Sequence, residues 1–286
     1  MSLAVTECES LSTVDAHAWD ALTGKNSPFV EHAFLVGMEL SGSVGDEATG
    51  WMPRHLLVRE DGALVGAMPL YLKLDSYGEY IFDWSWANAS ARAGVPYYPK
   101  LVSAVPFTPA TGPRLLIAPE ADVAGVTAVA LEGLKAVLER DQAWSAHVLF
   151  CTEAERDTLS ESGFIPRTTY QFHWQNGGDW ASFDDYLGAL RSRVRKEVRR
   201  ERRIAGEHGL DLQMRRGTEL TEEDWEALWR FYRITTTRKH AIPYLTHDFF
   251  LHAKEHLQHR VVAALAYREG RPVAGSLSFH KGDTLY

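Results

Sequence analysis

Two short stretches of the chain share one pattern of apolar and polar positions. In each, an apolar strand ends in a charged turn with glycine, at Gly62 or Gly270, and a valine then leads through small residues into a second strand. Both stretches predict a β-hairpin, and a pattern repeated at a fixed spacing indicates a duplicated architecture. A long continuation follows the first hairpin, whereas only a few residues up to Tyr286 follow the second. We therefore expect one complete α/β unit, a second unit that is incomplete, and a chain that is a fragment.

Elsewhere, apolar residues recur at helical spacing or in short buried runs. Residues 85–113 are rich in proline and lack periodicity, so they predict a long loop, and such loops often carry function. Further strands are predicted at residues 80–84, 114–117, 146–150 and 169–174. Helices are predicted at residues 13–23, 29–42, 121–140, 153–160, 182–205 and 247–258, and after the capping box Thr221-Glu222-Glu223-Asp224.

The order of these elements bears on the fold class and on the domains. Hairpin, strand, helix, strand, helix, strand is typical of a mixed sheet with helices packed on it. Asn176-Gly177-Gly178 is the best candidate for a domain boundary. The sequence therefore predicts an α/β (α+β) protein with a first domain at residues 1–176 and a second domain at residues 177–286.

The charge of the chain is distributed unevenly along the sequence. The net charge of −8 argues against general nucleic-acid binding, and no DNA partner is expected. Residues 191–203 are nevertheless dense in arginine, and one positive patch on an acidic body indicates a local anionic partner. Cys8 and Cys151 cannot make a disulfide framework, and the sequence has neither a signal-peptide pattern nor an apolar run long enough to span a membrane. We therefore expect a cytoplasmic protein.

The long loop and its borders hold the candidate binding residues. Aromatic side chains with a lysine and an arginine on a proline-stiffened loop predict a concave pocket for a ligand that has anionic and apolar parts. The alternative is a loop whose aromatic residues simply cover the sheet. The residues concerned are Asp83, Trp84, Trp86, Tyr97, Tyr98, Lys100, Phe107, Thr108 and Arg114.

The basic segment offers a second candidate surface. Arg191 and Arg195 border an apolar stripe at helical spacing, where they would line a cleft edge and grip phosphates. Two alternatives stay open, a solvated face with Glu–Arg pairs and an RNA-binding module. The stripe that we expect to be buried consists of Phe183, Leu187, Leu190, Val194 and Val198.

Two further motifs narrow the chemistry. Residues 252–256 match H-x-x-E-H, but no third zinc ligand is evident, so we predict no metal site. The predicted strand–helix junction at residues 117–121 has a proline and an acid where a pyrophosphate loop needs free N–H groups. The first unit is therefore not expected to bind coenzyme A in the usual way.

The loop residues taken together resemble the signature of the FemAB-like (peptidoglycan biosynthesis/recognition) proteins, predicted N-acyltransferases of the GNAT-like acyltransferase superfamily. The second half is similar to the same group in its basic helix, in Thr235-Thr236-Thr237-Arg238-Lys239-His240 and in Gly282-Asp283-Thr284-Leu285-Tyr286. The resemblance implies two tandem GNAT-like domains, the second incomplete at its C-terminus. It also implies acyl or aminoacyl transfer to a small-molecule or peptide amine, with acyl-coenzyme A or aminoacyl-tRNA as donor and no tightly bound cofactor.

Roles for the candidate residues follow from that reaction as hypotheses. Asp83, Tyr97, Tyr98 and Lys100 are the catalytic candidates, because the attacking amine must lose a proton in the site. The remaining candidates would bind substrate, with the arginines on anionic groups: Trp84, Trp86, Phe107, Thr108, Arg114, Arg191 and Arg195. The rival hypothesis is a non-catalytic protein of the same fold that recognises a cell-wall precursor.

Overall fold

A computed structural model describes residues 2–25, 27–177, 180–239 and 241–286 of the chain. Strands and helices are interspersed along these ranges and form mixed sheets flanked by helices, which confirms the predicted fold class. The predicted boundary at Asn176-Gly177-Gly178 includes Gly178, which lies outside the described residues, as does His240. The division into two domains stays a prediction.

The first half of the chain begins with a strand and ends with a helix that a complete capping box starts. Asp15, Asp122 and Thr152 each accept a hydrogen bond from a backbone N–H in the first turn of the helix that follows. In chain order the elements are Leu3–Cys8 (β1), Ala16–Asp20 (α1), His32–Leu40 (α2), Met52–Pro53 (β2), His55–Glu60 (β3), Ala63–Met68 (β4), Tyr71–Lys73 (β5), Trp84–Arg92 (α3), Lys100–Ser103 (β6), Leu116–Ile117 (β7), Val123–Arg140 (α4), Ala146–Val148 (β8) and Glu153–Glu161 (α5).

The second half repeats the combination of helices and hairpin strands. The predicted capping box at Thr221 is confirmed, and Thr246 caps the helix after it. The elements are Phe183–Ala189 (α6), Ser192–Gly206 (α7), Asp211–Arg216 (β9), Glu222–Arg238 (α8), His247–His252 (α9), Val261–Arg268 (β10), Arg271–Lys281 (β11) and Thr284–Leu285 (β12).

The strands of the first half make two sheets that the chain itself connects. Their orders are β1-β3-β4-β7 and β2-β5-β6-β8, and within the second sheet β6 and β8 run parallel. β2 continues into β3, and β4 continues into β5, with one hydrogen bond of 2.7 Å between Arg54 N and the Leu70 carbonyl at the crossing. Helix α4 packs on the β1-β3-β4 face, where Gly66 and Gly133 allow close approach to Val126 and Val5.

The two predicted hairpins are confirmed and have the same construction. Both turn through two residues with positive φ, Asp61-Gly62 (48° and 91°) and Glu269-Gly270 (52° and 75°), as a tight hairpin turn requires. In each hairpin the strand register then shifts by one residue, which leaves Val65 or Val273 without an opposite partner. The second hairpin belongs to a sheet of order β12-β11-β10-β9, on which α8 packs.

Both halves contribute to one aromatic core. Phe34 from α2 lies edge-to-face against Phe249 at 5.7 Å and Phe279 at 5.4 Å between ring centroids. Beside this core, the carboxylate of Glu31 receives the guanidinium of Arg260 at 2.7 Å and the ammonium of Lys281 at 2.8 Å. Contacts of this kind hold the two predicted units against each other.

The prediction of a strand at residues 80–84, just before the predicted loop, is wrong. Tyr80 and Phe82 have φ of 60° and 52°, a left-handed conformation that no strand accommodates, and helix α3 begins directly afterwards. The proline-rich stretch predicted as a loop therefore contains both α3 and β6. Its irregular part is shorter than the sequence indicated.

The strand predicted at residues 169–174 is also wrong. The segment forms no sheet pairing in the described part of the chain, and Tyr170 and Phe172 are 91% and 103% exposed. Alternation alone favoured a strand here. A strand, however, also needs a neighbouring strand to bond with.

The single basic helix predicted at residues 182–205 is two helices, α6 and α7. The chain is extended at Leu190 (ψ 148°), so the helical phase changes and the predicted stripe does not form one face. Leu187 is buried, whereas Phe183 and Val194 are 42% and 43% exposed. The prediction of one continuous buried stripe was wrong for this reason.

Substituting Gly66 by valine tests the packing of α4 on the first hairpin. A side chain at this position meets Val126, so Gly66→Val should lower the free energy of unfolding by about 1–3 kcal/mol. Ala274 occupies the equivalent position in the second hairpin and is exposed, so Ala274→Val should change stability by less than about 0.5 kcal/mol. Urea unfolding of both variants measures the difference, and equal effects would contradict the packing described.

Candidate functional site

A buried lysine organises the candidate site. Lys100 begins β6, and its side chain has no exposed surface. Its ammonium group donates to Ser76 Oγ at 2.9 Å, to Glu79 Oε2 at 2.8 Å and to Asp83 Oδ2 at 2.7 Å. A charge removed from water needs such partners, because desolvation of an ion costs several kcal/mol.

Two tyrosines complete this group. The Tyr97 hydroxyl donates to Asp83 Oδ2 at 2.7 Å, and the Tyr98 hydroxyl shares a hydrogen bond of 2.7 Å with Ser76 Oγ. The ring centroids of Tyr97 and Tyr98 lie 5.2 Å and 5.5 Å from the Lys100 ammonium, within cation–π range. The Lys100 cluster therefore consists of Ser76, Glu79, Asp83, Tyr97, Tyr98 and Lys100, and it brings the four predicted catalytic candidates together.

The backbone before α3 gives the cluster its acids. Gly78, Tyr80 and Phe82 all have positive φ, so the chain folds back and turns Glu79 and Asp83 towards β6. At Gly78 a Cβ would lie 2.5 Å from Phe107, which in turn stacks on Tyr244 at 4.7 Å. The conformation of this loop is thus fixed by tight packing against residues distant in sequence.

Burial and hydrogen bonding separate the two carboxylates electrostatically. Burial raises the pKa of Glu79 to about 7, against the opposing effect of the Lys100 ammonium. Burial also pushes the pKa of Asp83 upward, but hydrogen bonds from Lys100, Ser76 and Tyr97 outweigh it and the pKa is lowered. Near neutral pH, Asp83 is therefore an anion, whereas Glu79 can gain or lose a proton.

The basic groups around the cluster are also perturbed. Burial lowers the pKa of Lys73 to about 8, and burial with the nearby Lys100 charge lowers the pKa of His147 to about 4. Lys73 lies directly opposite Lys100 across β5 and β6. Burial and the hydrogen bond to Asp83 raise the pKa of Tyr97, which keeps its hydroxyl protonated.

An open pocket of about 500 Å³ lies beside the cluster. Tyr97 lines the pocket and also donates through its hydroxyl to Asp83, so this residue links the pocket with the buried charges. Trp86 forms an apolar wall of the pocket, is 55% exposed, and stacks with the guanidinium of Arg167 at 5.1 Å. The lining residues are Ser85, Trp86, Ala89, Ser90 and Tyr97.

The predicted substrate-binding residues of the loop lie at different depths. Trp84 is 40% exposed and contacts Tyr77 edge-to-face, whereas Phe107 stacks on Tyr244 and the Thr108 hydroxyl donates to the Pro106 carbonyl. Among these aromatic residues, Trp84 and Trp86 offer exposed ring surface next to the cluster. A ligand-binding role for these residues stays a prediction.

Arg114 has a different environment from an exposed anion-binding arginine. Its side chain is buried, and the guanidinium donates to the carbonyl oxygens of Leu149, Gly112, Pro113 and Ala110. Burial lowers the pKa of Arg114 to about 10. These bonds fasten the loop before β7 to the end of β8, and they leave the guanidinium facing backbone instead of solvent.

Arg191 and Arg195 lie apart from the Lys100 cluster in the contacts described. Arg191 precedes α7, and Arg195 donates from Nη2 to the Leu190 carbonyl at 3.2 Å. Among the described residues, no hydrogen bond or ion pair joins either arginine to the cluster. The basic surface of α7 and the Lys100 cluster are therefore treated as two separate candidate sites.

Sequence reasoning missed two members of the cluster, Ser76 and Glu79. Both lie in a stretch that reads as an ordinary polar turn before an apolar strand. An acid at Glu79, four residues before Asp83 and among aromatic residues, is the signal that marks a second buried carboxylate. Its significance depends on Lys100, which the sequence does not place nearby.

The H-x-x-E-H match at residues 252–256 is explained by a structural role of His252. His252 of the H-x-x-E-H match hydrogen-bonds through Nε2 to the Ala33 carbonyl at 2.8 Å, and its ring packs on Gly37. Within the described ranges, no group of three or more His, Cys, Asp or Glu side chains is arranged to hold a metal ion. No helix in those ranges is long and apolar enough to cross a membrane.

Comparison with known proteins defines the family. The family model for FemAB-like proteins, described as peptidoglycan biosynthesis/recognition, matches residues 10–286. The chain therefore belongs to the FemAB-like family, and the resemblance seen in the sequence is confirmed. No curated protein sequence matches the chain.

The solved structures that match the chain have low sequence identity and TM-scores below 0.5. FemX is 14% identical, with a TM-score of 0.45, over 93% of this chain and 57% of that chain. A tandem GNAT protein from the clavulanic acid biosynthesis pathway is 12% identical, with a TM-score of 0.38, over 99% of this chain and 76% of that chain. A ribosomal-protein-alanine N-acetyltransferase from Brucella melitensis biovar Abortus 2308 is 13% identical, with a TM-score of 0.34, over 62% of this chain and all of that chain. This chain thus spans little more than half the length of FemX.

Removing the buried ammonium should destabilise the protein strongly. Lys100→Met leaves two buried carboxyl groups without their cation, and we expect a loss of about 3–5 kcal/mol in the free energy of unfolding. As a control, Lys254→Met removes an ion pair with Glu222, whose side chain is 79% exposed, and should cost less than about 1 kcal/mol. Urea unfolding at neutral pH compares them, and a loss at Lys100 as small as at Lys254 would argue against a paired buried charge.

The raised pKa of Glu79 should appear in the pH dependence of stability. In the folded protein it is about 7 instead of the usual 4.5, so its stabilising contribution is complete below pH 4.5 and is lost as the pH rises through 7. Glu79→Gln removes this dependence. Relative to the variant, the wild type should therefore lose about 3 kcal/mol between pH 4 and pH 8.

The neighbouring carboxylate supplies a control of opposite sign. Because the pKa of Asp83 is lowered, its stabilising contribution is present above its unfolded-state pKa and is lost on acidification. Relative to Asp83→Asn, the wild type should therefore gain stability as the pH rises. Unfolding titrations at several pH values measure both differences, and the same sign for both would contradict the electrostatics described.

Proposed function

We propose that this chain is an N-acyltransferase that transfers an acyl or aminoacyl group to an amine, in cell-wall peptide or related peptide metabolism. Membership of the FemAB-like family supports the general reaction. The observation that carries the proposal is Tyr97, which lines an open pocket and is hydrogen-bonded to a buried carboxylate–lysine cluster. A polar group connected to an internal base is what deprotonation of an amine requires.

The pocket and the cluster divide the tasks of the reaction. Trp86 offers an apolar face, and Ser85 and Ser90 offer hydroxyl groups, so these residues orient the acceptor amine. Tyr97 contacts the amine, and Asp83 accepts the hydrogen bond of Tyr97. Lys100 keeps Asp83 ionised and therefore ready to receive a proton.

The charges at the N-terminus of α4 and on the surface of α7 bear on which acyl donor the chain uses. The N-terminus of α4 is capped by Asp122, so an acidic side chain already lies where a pyrophosphate would bind. The arginine-rich helix α7 is largely exposed and offers a surface for phosphates. This distribution favours aminoacyl-tRNA over acyl-coenzyme A as donor, with Arg191 and Arg195 as proposed phosphate contacts.

Transfer assays with both donor classes test the proposal. Acetyl-coenzyme A and alanyl-tRNA are offered in parallel with a panel of peptide and small-molecule amines. Tyr97→Phe should lower the turnover rate by about 10²-fold or more, because the pocket loses its connection to Asp83. Tyr170→Phe makes the same chemical change at a side chain that is 91% exposed, and we expect it to leave the rate unchanged.

The outcomes separate the proposal from its rival. Full activity of the Tyr97→Phe variant would show that the chemistry lies elsewhere. Saturable binding of an acceptor without transfer from either donor would favour a non-catalytic recognition protein. Binding of alanyl-tRNA that weakens steeply with salt, without transfer, would favour an RNA-binding module.

A further inference from the structure

Glu79 is a buried carboxyl group of the Lys100 cluster to which the proposed reaction gives no role. Its side chain has no exposed surface, and Oε2 accepts a hydrogen bond of 2.8 Å from Lys100. Oε1 has no hydrogen-bond partner in the described part of the chain, and neither has Asp83 Oδ1. The two residues differ at their other oxygen, because Asp83 Oδ2 accepts from both Lys100 and Tyr97, whereas Glu79 Oε2 accepts from Lys100. A buried carboxyl oxygen without a donor is costly if the group is ionised, and less so if the group carries a proton.

The charges around Glu79 do not balance. Lys73 and Lys100 lie opposite each other, and Lys73 pairs with Asp75 at 3.4 Å while Lys100 pairs with Asp83 and Glu79. Asp75 is 39% exposed and is screened by water, whereas Glu79 and Asp83 are fully buried and share the single ammonium group of Lys100. A proton on one of these two carboxyl groups neutralises that buried set. The titratable and charged groups that act on or face Glu79 are Lys73, Asp83, Tyr97, Tyr98 and Lys100, with Asp75 beside Lys73 and His147 near Lys100.

Hydrogen bonds connect the pocket to Glu79 without a break. Tyr97 donates to Asp83 at 2.7 Å, and Lys100 donates both to Asp83 at 2.7 Å and to Glu79 at 2.8 Å. Each step is short enough for a proton to pass along an existing hydrogen bond. The path begins at an exposed pocket and ends at a carboxyl group without access to water.

We propose that Glu79 is the final acceptor of the proton that the attacking amine loses, through a relay of Tyr97, Asp83 and Lys100. This inference rests on the proposed transferase function. The amine nitrogen forms its bond to the acyl carbon and gives a proton to the Tyr97 oxygen, while Tyr97 passes its own proton to Asp83 Oδ2. The bond between the acyl carbon and the ester oxygen (or thioester sulfur) of the donor breaks, and that atom leaves with the electron pair and takes a proton from water. Lys100 gives a proton to Glu79 Oε2 and takes the one on Asp83. At the end of the transfer Tyr97, Asp83 and Lys100 have their initial charges, and Glu79 is a neutral acid. After the transfer, Glu79 returns its proton to the solvent along the same relay, which balances the proton that the leaving group took.

The electrostatics explain why the proton stops at Glu79 and not at Asp83. Hydrogen bonds favour the anionic form of Asp83, so this residue transmits a proton without keeping it. Burial favours the neutral form of Glu79, so the proton is more stable there. Glu79 touches no substrate. It is a positioning residue that determines where the proton resides.

Infrared difference spectra of the protein alone test where the proton resides. In the wild type, the C=O stretch of one protonated carboxyl group should disappear with a midpoint near pH 7. The band should be absent in Glu79→Gln and present in Glu39→Gln, which makes the same change at another largely buried glutamate. Survival of the band in Glu79→Gln, or its absence from the wild type, would overturn the proposal.

Exchange with deuterium tests the relay itself, again without substrate. Tyr97→Phe should keep the Glu79 band but slow its shift in D2O at least tenfold, because a phenyl ring cannot pass a proton. Tyr170→Phe should exchange at the wild-type rate. Equal exchange rates in the wild type and Tyr97→Phe would overturn the relay.

The pH dependence of kcat for acyl transfer, measured with the donor that the assays identify, tests whether the relay takes part in the reaction. The wild-type kcat should rise with pH through a midpoint near 7, as Glu79 becomes able to accept a proton. Glu79→Gln should lose this limb and at least tenfold in kcat, and an unchanged pH profile would overturn the relay. If the Glu79 band titrates and no amine is acylated, the transferase function is contradicted; if transfer occurs without that titration, the relay is contradicted.

Discussion

The buried ammonium of Lys100 is the constraint on which the rest of the site depends. Lys100 lies on a strand whose neighbours exclude water, and a second lysine, Lys73, lies directly opposite it. Carboxylates supply the opposite charge for both ammonium groups, Asp75 for Lys73 and Glu79 with Asp83 for Lys100. The chain before α3 must therefore fold back to bring Glu79 and Asp83 to β6, and it does so through left-handed residues at Gly78, Tyr80 and Phe82.

This constraint connects the interior with the surface. Asp83 is held by Lys100 and directly precedes α3, so the buried ion pair determines where that helix begins. No side chain of α3 is buried, which leaves Trp86 and its neighbours to line a pocket. A cluster of buried charges is a poor source of stability compared with an apolar core. The proposed chemistry at the adjoining pocket gives a reason for this cost, since perturbed pKa values are typical of functional sites.

The two hairpins show how one local sequence pattern is used in two environments. Both have the same two-residue turn and the same register shift, because these depend on residues within the hairpin. Their surroundings differ: Gly66 lies under α4, whereas Ala274 at the equivalent position is exposed. The units nevertheless share one core through Phe34, Phe249 and Phe279. Local duplication therefore does not make the two halves independent.

The sequence by itself determined the features that depend on neighbouring residues. Hairpin turns, the capping box at Thr221 and the amphipathic helix α4 are local, and the loop residues were sufficient to indicate the FemAB-like family. Only the tertiary structure decided what depends on distant contacts. The left-handed conformation of Tyr80 excludes the strand predicted there, and residues 169–174 have no partner strand. The folded chain also buries Arg114 against backbone carbonyls. It also placed Glu79 beside Lys100, because burial and the position of a counter-charge are properties of the folded chain, and they decide where a proton resides.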